Sequence, residues 1–148
     1  MSRLKLAVLV ALGIGAIAWV VSMFVETDEE RIEARIEAMT AAAVRRDIDG
    51  IVEGLAGGFT YDGVGAGRGP ESARSLLQAW IGSGRIVVRS SQVESIEVRG
   101  DVATALVFVR VESRDLGGRI WPDRWKVEFE RTEEAWLVVS ASRQPLGR

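Results

Sequence analysis

Two absences narrow the chemistry open to this chain: it contains no histidine and no cysteine. Without histidine it lacks the commonest general base and the commonest metal ligand. Without cysteine it has no disulfide, no zinc-thiolate site and no thiol nucleophile. Among the groups left for proton transfer are the carboxylates and the single tyrosine, Tyr61. Asp123 stands out among the carboxylates. It lies in a run of period two, with Trp121, Asp123, Trp125, Val127 and Phe129 on one side and Arg124, Lys126, Glu128 and Glu130 on the other. A carboxylate on the apolar side of a strand would have a raised pKa and could act as general acid or base. The competing reading carries more weight: Pro122 disturbs the strand and leaves Asp123 at an edge or paired with an arginine, because proline is confined to edges, strand starts and bulges.

Residues 63–69, Gly-Val-Gly-Ala-Gly-Arg-Gly, resemble a phosphate loop only superficially. They lack the Gly-Lys-Ser/Thr ending of a P-loop, and no dinucleotide fingerprint follows them. A flexible loop is the better reading. No cofactor and no metal is expected.

The elements that must position these residues begin with a membrane segment. Residues 6–25 are apolar and uncharged, enough for a helix about 30 Å long, the thickness of a bilayer's hydrocarbon core. Arg3 and Lys5 precede the run; Glu26, Asp28, Glu29 and Glu30 follow it. That asymmetry places residues 1–5 in the cytoplasm and residues 27–148 outside it. A cleaved signal peptide is the alternative, since Ala16-Ile17-Ala18 resembles a cleavage site. Against it, residues 19–25 stay apolar beyond the cut and would leave a greasy new terminus. Ala7, Ala11, Gly15, Ala18 and Ser22 recur every three or four residues, a small-residue face on which another membrane helix could pack.

The remainder, about 120 residues, suits one domain. Arg3 and Lys5 set aside, it carries 17 basic against 21 acidic side chains, a net charge near −4. A basic face for nucleic acid is therefore not expected. The abundance of arginine, alanine and glycine points to a GC-rich bacterial genome, and so to a bacterial inner membrane with the domain in the periplasm.

Thr27 and Glu30 form a capping box for a helix with Ile32, Ile36, Met39 and Ala43 on one face. That helix is predicted to end near Arg45 and Arg46. Asp47 caps a short second helix, which Gly57-Gly58 should stop. Phe59-Thr60-Tyr61 is a short strand. Pro70 opens a third helix reaching about Gly82, with Ala73, Leu76, Leu77, Trp80 and Ile81 on its apolar side. Four long antiparallel strands follow, from Ile86, Val102, Ile120 and Ala135. The apolar phase of the first slips between Val88 and Val93, the mark of a bulge. Helices segregated before a meander make an α+β domain with helices on one face of a curved antiparallel sheet.

In this order of elements the chain resembles the nuclear transport factor 2-like superfamily, including its polyketide-cyclase-like (SnoaL-like) and ketosteroid-isomerase-like branches. The residues that carry the resemblance are Asp47 to Leu55 leading into Phe59-Thr60-Tyr61, Gly69-Pro70-Glu71, and the closing hairpin formed by residues 125–131 and 135–139. It covers about Asp28 to Ser142. The resemblance implies a cone whose open end is a pocket, lined here by Tyr61, Trp80, Phe108, Arg110, Trp121, Asp123 and Trp125. The superfamily's enzymes generally use a histidine, or a tyrosine with acidic partners. This chain has no histidine, so isomerase or cyclase activity is not expected. The leading expectation is a non-enzymatic single-pass membrane protein whose outer domain is an interaction or assembly module. Its partners would be other subunits of an inner-membrane complex, or further copies of itself. The alternative is a pocket for a small apolar ligand, with weak acid/base chemistry at Asp123 and Tyr61.

Overall fold

The computed structural model describes residues 2–62 and 67–146, with the side chains of Ser22 and Phe24 left aside. The first helix, α1 (Arg3–Phe24), runs through the apolar segment and starts on a Ser2 cap. Among the described residues it is the one helix long and apolar enough to cross a membrane, and none of that span is buried against the rest of the chain. Val25 and Thr27 are extended, and α2 (Asp28–Val44) begins at once on the predicted capping box. Thr27 accepts from the Glu30 backbone at 3.2 Å while Glu30 accepts from the Thr27 backbone at 3.1 Å.

The Asp47 side chain caps α3 (Ile48–Val52) by accepting from Gly50 N at 3.0 Å. Gly57-Gly58 does not stop this helix. It ends at Val52, and the two glycines lie inside β1 (Leu55–Tyr61), longer than the three-residue strand expected. Most of the glycine-rich loop falls on residues 63–66, outside the described part. Its end forms β2 (Gly67–Arg68), paired with Thr60 and Tyr61. Pro70 occupies the first turn of α4 (Pro70–Leu77), which widens into a π-turn at Gln78–Gly82.

The long strands are β3 (Ile86–Arg99), β4 (Val102–Ser113), β5 (Arg119–Arg131) and β6 (Trp136–Gln144). A single 3-10 turn, Arg114–Leu116, joins β4 to β5. The sheet order is β2-β1-β6-β5-β4-β3. One pairing departs from the expected antiparallel sheet: β1 runs parallel to β6, so the sheet is mixed. The reason is connectivity. The chain leaves β1 through α4 and returns through three hairpins, which brings β6 back beside β1 in the same direction.

Register in β3 shifts between Val88 and Ser90 and again between Val93 and Ser95, at the predicted phase slip. Such bulges bend the sheet. Its concave face carries alternate residues of each strand, among them Ala103, Ala105 and Val107 of β4 and Phe129 of β5, and α2 crosses it.

One end of the cone is sealed. Ile32, Phe129, Trp136 and Val138 are almost wholly buried there. Polar contacts outside this plug lock the first turn of α2 to the β5–β6 hairpin. Trp136 Nε1 donates to Asp28 at 3.3 Å, and Arg131 pairs with Asp28 at 3.4 Å and with Asp101 at 3.1 Å. The Arg131 guanidinium lies over the Trp136 ring, 5.2 Å from its centre.

Candidate functional site

Beyond the plug the cone is hollow. A cavity of about 320 Å³ lies between α2, α3, α4 and the concave sheet. That volume lies at the small end of the range for small-molecule sites. α2 contributes Ile36, Met39, Thr40 and Ala43; α4 contributes Leu76 and Leu77; the sheet contributes Val107, Val109, Trp125 and Val127. The helical period of the α2 stripe and the strand period of β4 and β5 aim these side chains at one space.

The wall carries two hydroxyls, and each has a partner. Thr40 Oγ1 donates to the Ile36 carbonyl at 2.8 Å and meets Ser91 Oγ at 2.7 Å. Tyr61 Oη meets Ser72 Oγ at 3.0 Å. Gly67 permits this contact, since a Cβ there would stand 2.5 Å from Tyr61 Oη and 2.6 Å from Ser72 Oγ. Among the described residues no carboxylate lines the cavity.

The seven side chains singled out in the sequence divide sharply. Tyr61 and Trp125 line the cavity. Asp123 shares the strand parity of Trp125 but lies two residues further out, beyond the lining. Its partners satisfy it: Arg143 Nε donates to Oδ1 at 2.7 Å, and Trp125 Nε1 donates to Oδ2 at 3.3 Å. The arginine-paired reading of Asp123 is thus the observed one, although Pro122 is accommodated in the interior strand β5, opposite Arg110. Phe108 and Arg110 do not line the cavity. They have the opposite parity to the buried Ala105 and Val107, which puts them on the convex face, where Arg124 stacks on Phe108 at 5.8 Å. Trp80 lies on the π-turn after α4, under the Arg85 guanidinium at 4.6 Å, and Trp121 lies near the start of β5; neither reaches the cavity.

Sequence reasoning missed Thr40, Val107 and Val109 as wall residues, and Arg143 as the partner of Asp123. The α2 and β4 apolar patterns were visible, but period alone does not separate a filled core from the wall of a hollow one. Elsewhere, Arg74 has its pKa raised by its hydrogen bond to Asp49; this exposed contact between α4 and α3 lies away from the cavity.

The small-residue face of α1 is free of the domain where the structure describes it: a Cβ placed on Gly15 would meet nothing within 4 Å. The Ser22 side chain lies outside the described part.

No protein-family model and no curated protein matches the sequence. Solved structures do match in shape. An NTF2-like protein of unknown function from Pseudomonas putida KT2440 superposes with a TM-score of 0.65 at 22% identity, over 78% of this chain and 85% of that one. A domain of unknown function with a cystatin-like fold from Nostoc punctiforme gives 0.69 at 15% identity, over 82% and 78%. A ketosteroid isomerase-like protein from Erwinia carotovora atroseptica gives 0.60 at 14% identity, over 78% and 95%. Identities this low speak for the fold alone. Helices packed inside a curved six-stranded mixed sheet, with these structural neighbours, give the domain after α1 the nuclear transport factor 2-like cone fold.

Proposed function

We propose that this protein is a non-enzymatic, membrane-tethered binding protein that holds a small apolar molecule in its cone. The observation that carries the reading is the 320 Å³ cavity, whose wall is apolar apart from two hydroxyls that already have partners. An apolar wall favours an apolar guest by removing its surface from water, at about 25 cal/mol per Å². Catalysis does not fit as well. Asp123 lies beyond the wall in an ion pair, Tyr61 is engaged by Ser72, and neither is hydrogen-bonded to the other. In this reading α1 is a retained single-pass anchor in a bacterial inner membrane, with residues 1–5 cytoplasmic and the cone periplasmic.

A second reading is favoured by the exposed small-residue face of Ala7, Ala11, Gly15 and Ala18. There the protein is an accessory subunit whose anchor packs on another membrane helix, or on a second copy, and whose cone is an assembly module. The cavity puts this reading second, because an assembly module has no need of a hollow core.

The test is titration of the detergent-solubilised full chain with the apolar fluorescent dye N-phenyl-1-naphthylamine. Saturable enhancement is expected, and Ala141→Trp, which fills the cavity, should abolish it while leaving a cooperative thermal transition. No saturable signal from the parent chain, or equal binding by a folded Ala141→Trp, would sink the proposal.

A further inference from the structure

We infer that the sealed end of the cone faces the bilayer and the cavity lies on the water side, so that its guest enters from solution and not laterally from lipid. This rests on the tethered-binding reading above. Only Val25, Glu26 and Thr27 separate α1 from α2. At roughly 3.5 Å per residue they hold the first turn of α2 within about 14 Å of the membrane helix. That turn does not move alone. Asp28 is bonded to Trp136 and Arg131, and Arg131 to Asp101, so the β5–β6 and β3–β4 turns are drawn to the membrane with it.

The cavity lies further along. Its wall on α2 runs from Ile36 to Ala43, about 12 to 22 Å along the helix axis from Asp28. Between it and the tethered end stand Ile32, Phe129 and Trp136, each at most 3% exposed. A lipid-borne molecule has no path through that packing. Nor does the domain rest on its α2 side. The outer surface of α2 exposes Glu29, Glu30, Glu33 and Glu37 against the single exposed cation Arg31, a net acidic face that like-charged headgroups repel. The tether and this repulsion together hold α2 steep and the hollow half away from the headgroups.

The chain has no cysteine, so single-cysteine spin labels are unambiguous. Glu134→Cys marks the β5–β6 turn, Leu77→Cys the cavity wall, and Leu116→Cys the far turn between β4 and β5. The full chain is placed in phosphatidylcholine–phosphatidylglycerol vesicles containing a nickel-chelating lipid. Relaxation by that lipid should be several-fold stronger at 134 than at 77 or 116, and a water-soluble nickel chelate should relax the label at 77. Equal or stronger lipid relaxation at 77 or 116, with the chain resisting alkaline carbonate extraction, would overturn the orientation alone. Release of the chain by carbonate would remove the tether, and the orientation with it.

Discussion

The two halves of the cone use similar residues to opposite ends. In the sealed half, Ile32 of α2 and Phe129 of β5 are at most 1% exposed, and Trp136 caps them. One helical turn further along, Ile36, Met39, Thr40 and Ala43 face Val107, Val109, Trp125 and Val127 across open space. The difference is one of volume. In the sealed half, Phe129 and the Trp136 indole, the latter anchored to Asp28, fill the gap between helix and sheet. In the hollow half the sheet contributes Phe59, Tyr61 and Trp125 as well as valines, yet with α3 and α4 packed over it the space between helices and sheet is not filled. The first half stabilises the fold; the second leaves a cavity.

Truncating one large side chain in each half should separate the two most clearly. Ile32→Ala should cost about 2–5 kcal/mol, because Ile32 is fully buried, does not border the cavity, and the hole it leaves in a close-packed region cannot collapse. Trp125→Ala should cost clearly less, since its ring already borders empty space. Urea denaturation measures both, and equal losses would mean the halves are packed alike.

The reverse experiment adds volume. Ala105 is 0% exposed in the sealed half, so Ala105→Leu should cost about 1–3 kcal/mol by overpacking. Ala141→Leu projects into the cavity and should leave the midpoint nearly unchanged while weakening dye binding. A severe loss at Ala141 would show that the hollow half does not tolerate filling.

Smaller still is the clamp at the sealed end. Trp136→Phe keeps most of the buried ring but removes the Nε1 donor to Asp28, and a bond to a carboxylate at 3.3 Å belongs at the low end for charged partners, about 1.5 kcal/mol. Thermal denaturation should show the loss. The smallest effect is expected at the far end. Arg143 is 52% exposed, so Asp123→Asn should change stability by less than about 1 kcal/mol and leave dye affinity intact. A large loss of binding would return Asp123 to the site.

Much of the fold was legible in the chain because local rules govern it. The capping box at Thr27, the Asp47 cap, Pro70 opening α4 and the phase slip in β3 each depend on residues a few positions apart. The site was less legible. Alternation put Asp123 on the inward side of β5, yet Arg143, twenty residues away, becomes its partner only when β6 pairs with β5. Phe108 and Arg110 belong to a strand apolar on both faces in part of its length, so composition could not tell concave from convex. Gly57-Gly58 reads as a helix stop in isolation, but β1 pairs with β6 on either side of it, at Leu55 and at Thr60–Tyr61, and the glycines fall in the irregular stretch between.

The apolar first helix, the capping box soon after it, the order of the main helices and strands and the poverty of catalytic groups could be read from the chain, because they follow from residue type and short-range spacing. The parallel run of β1 beside β6, the filled and hollow halves of the cone, and the choice of aromatic residues that meet the cavity emerge only in the folded chain. Those outcomes depend on how volumes from distant segments add up across the sheet, and no local pattern records that sum.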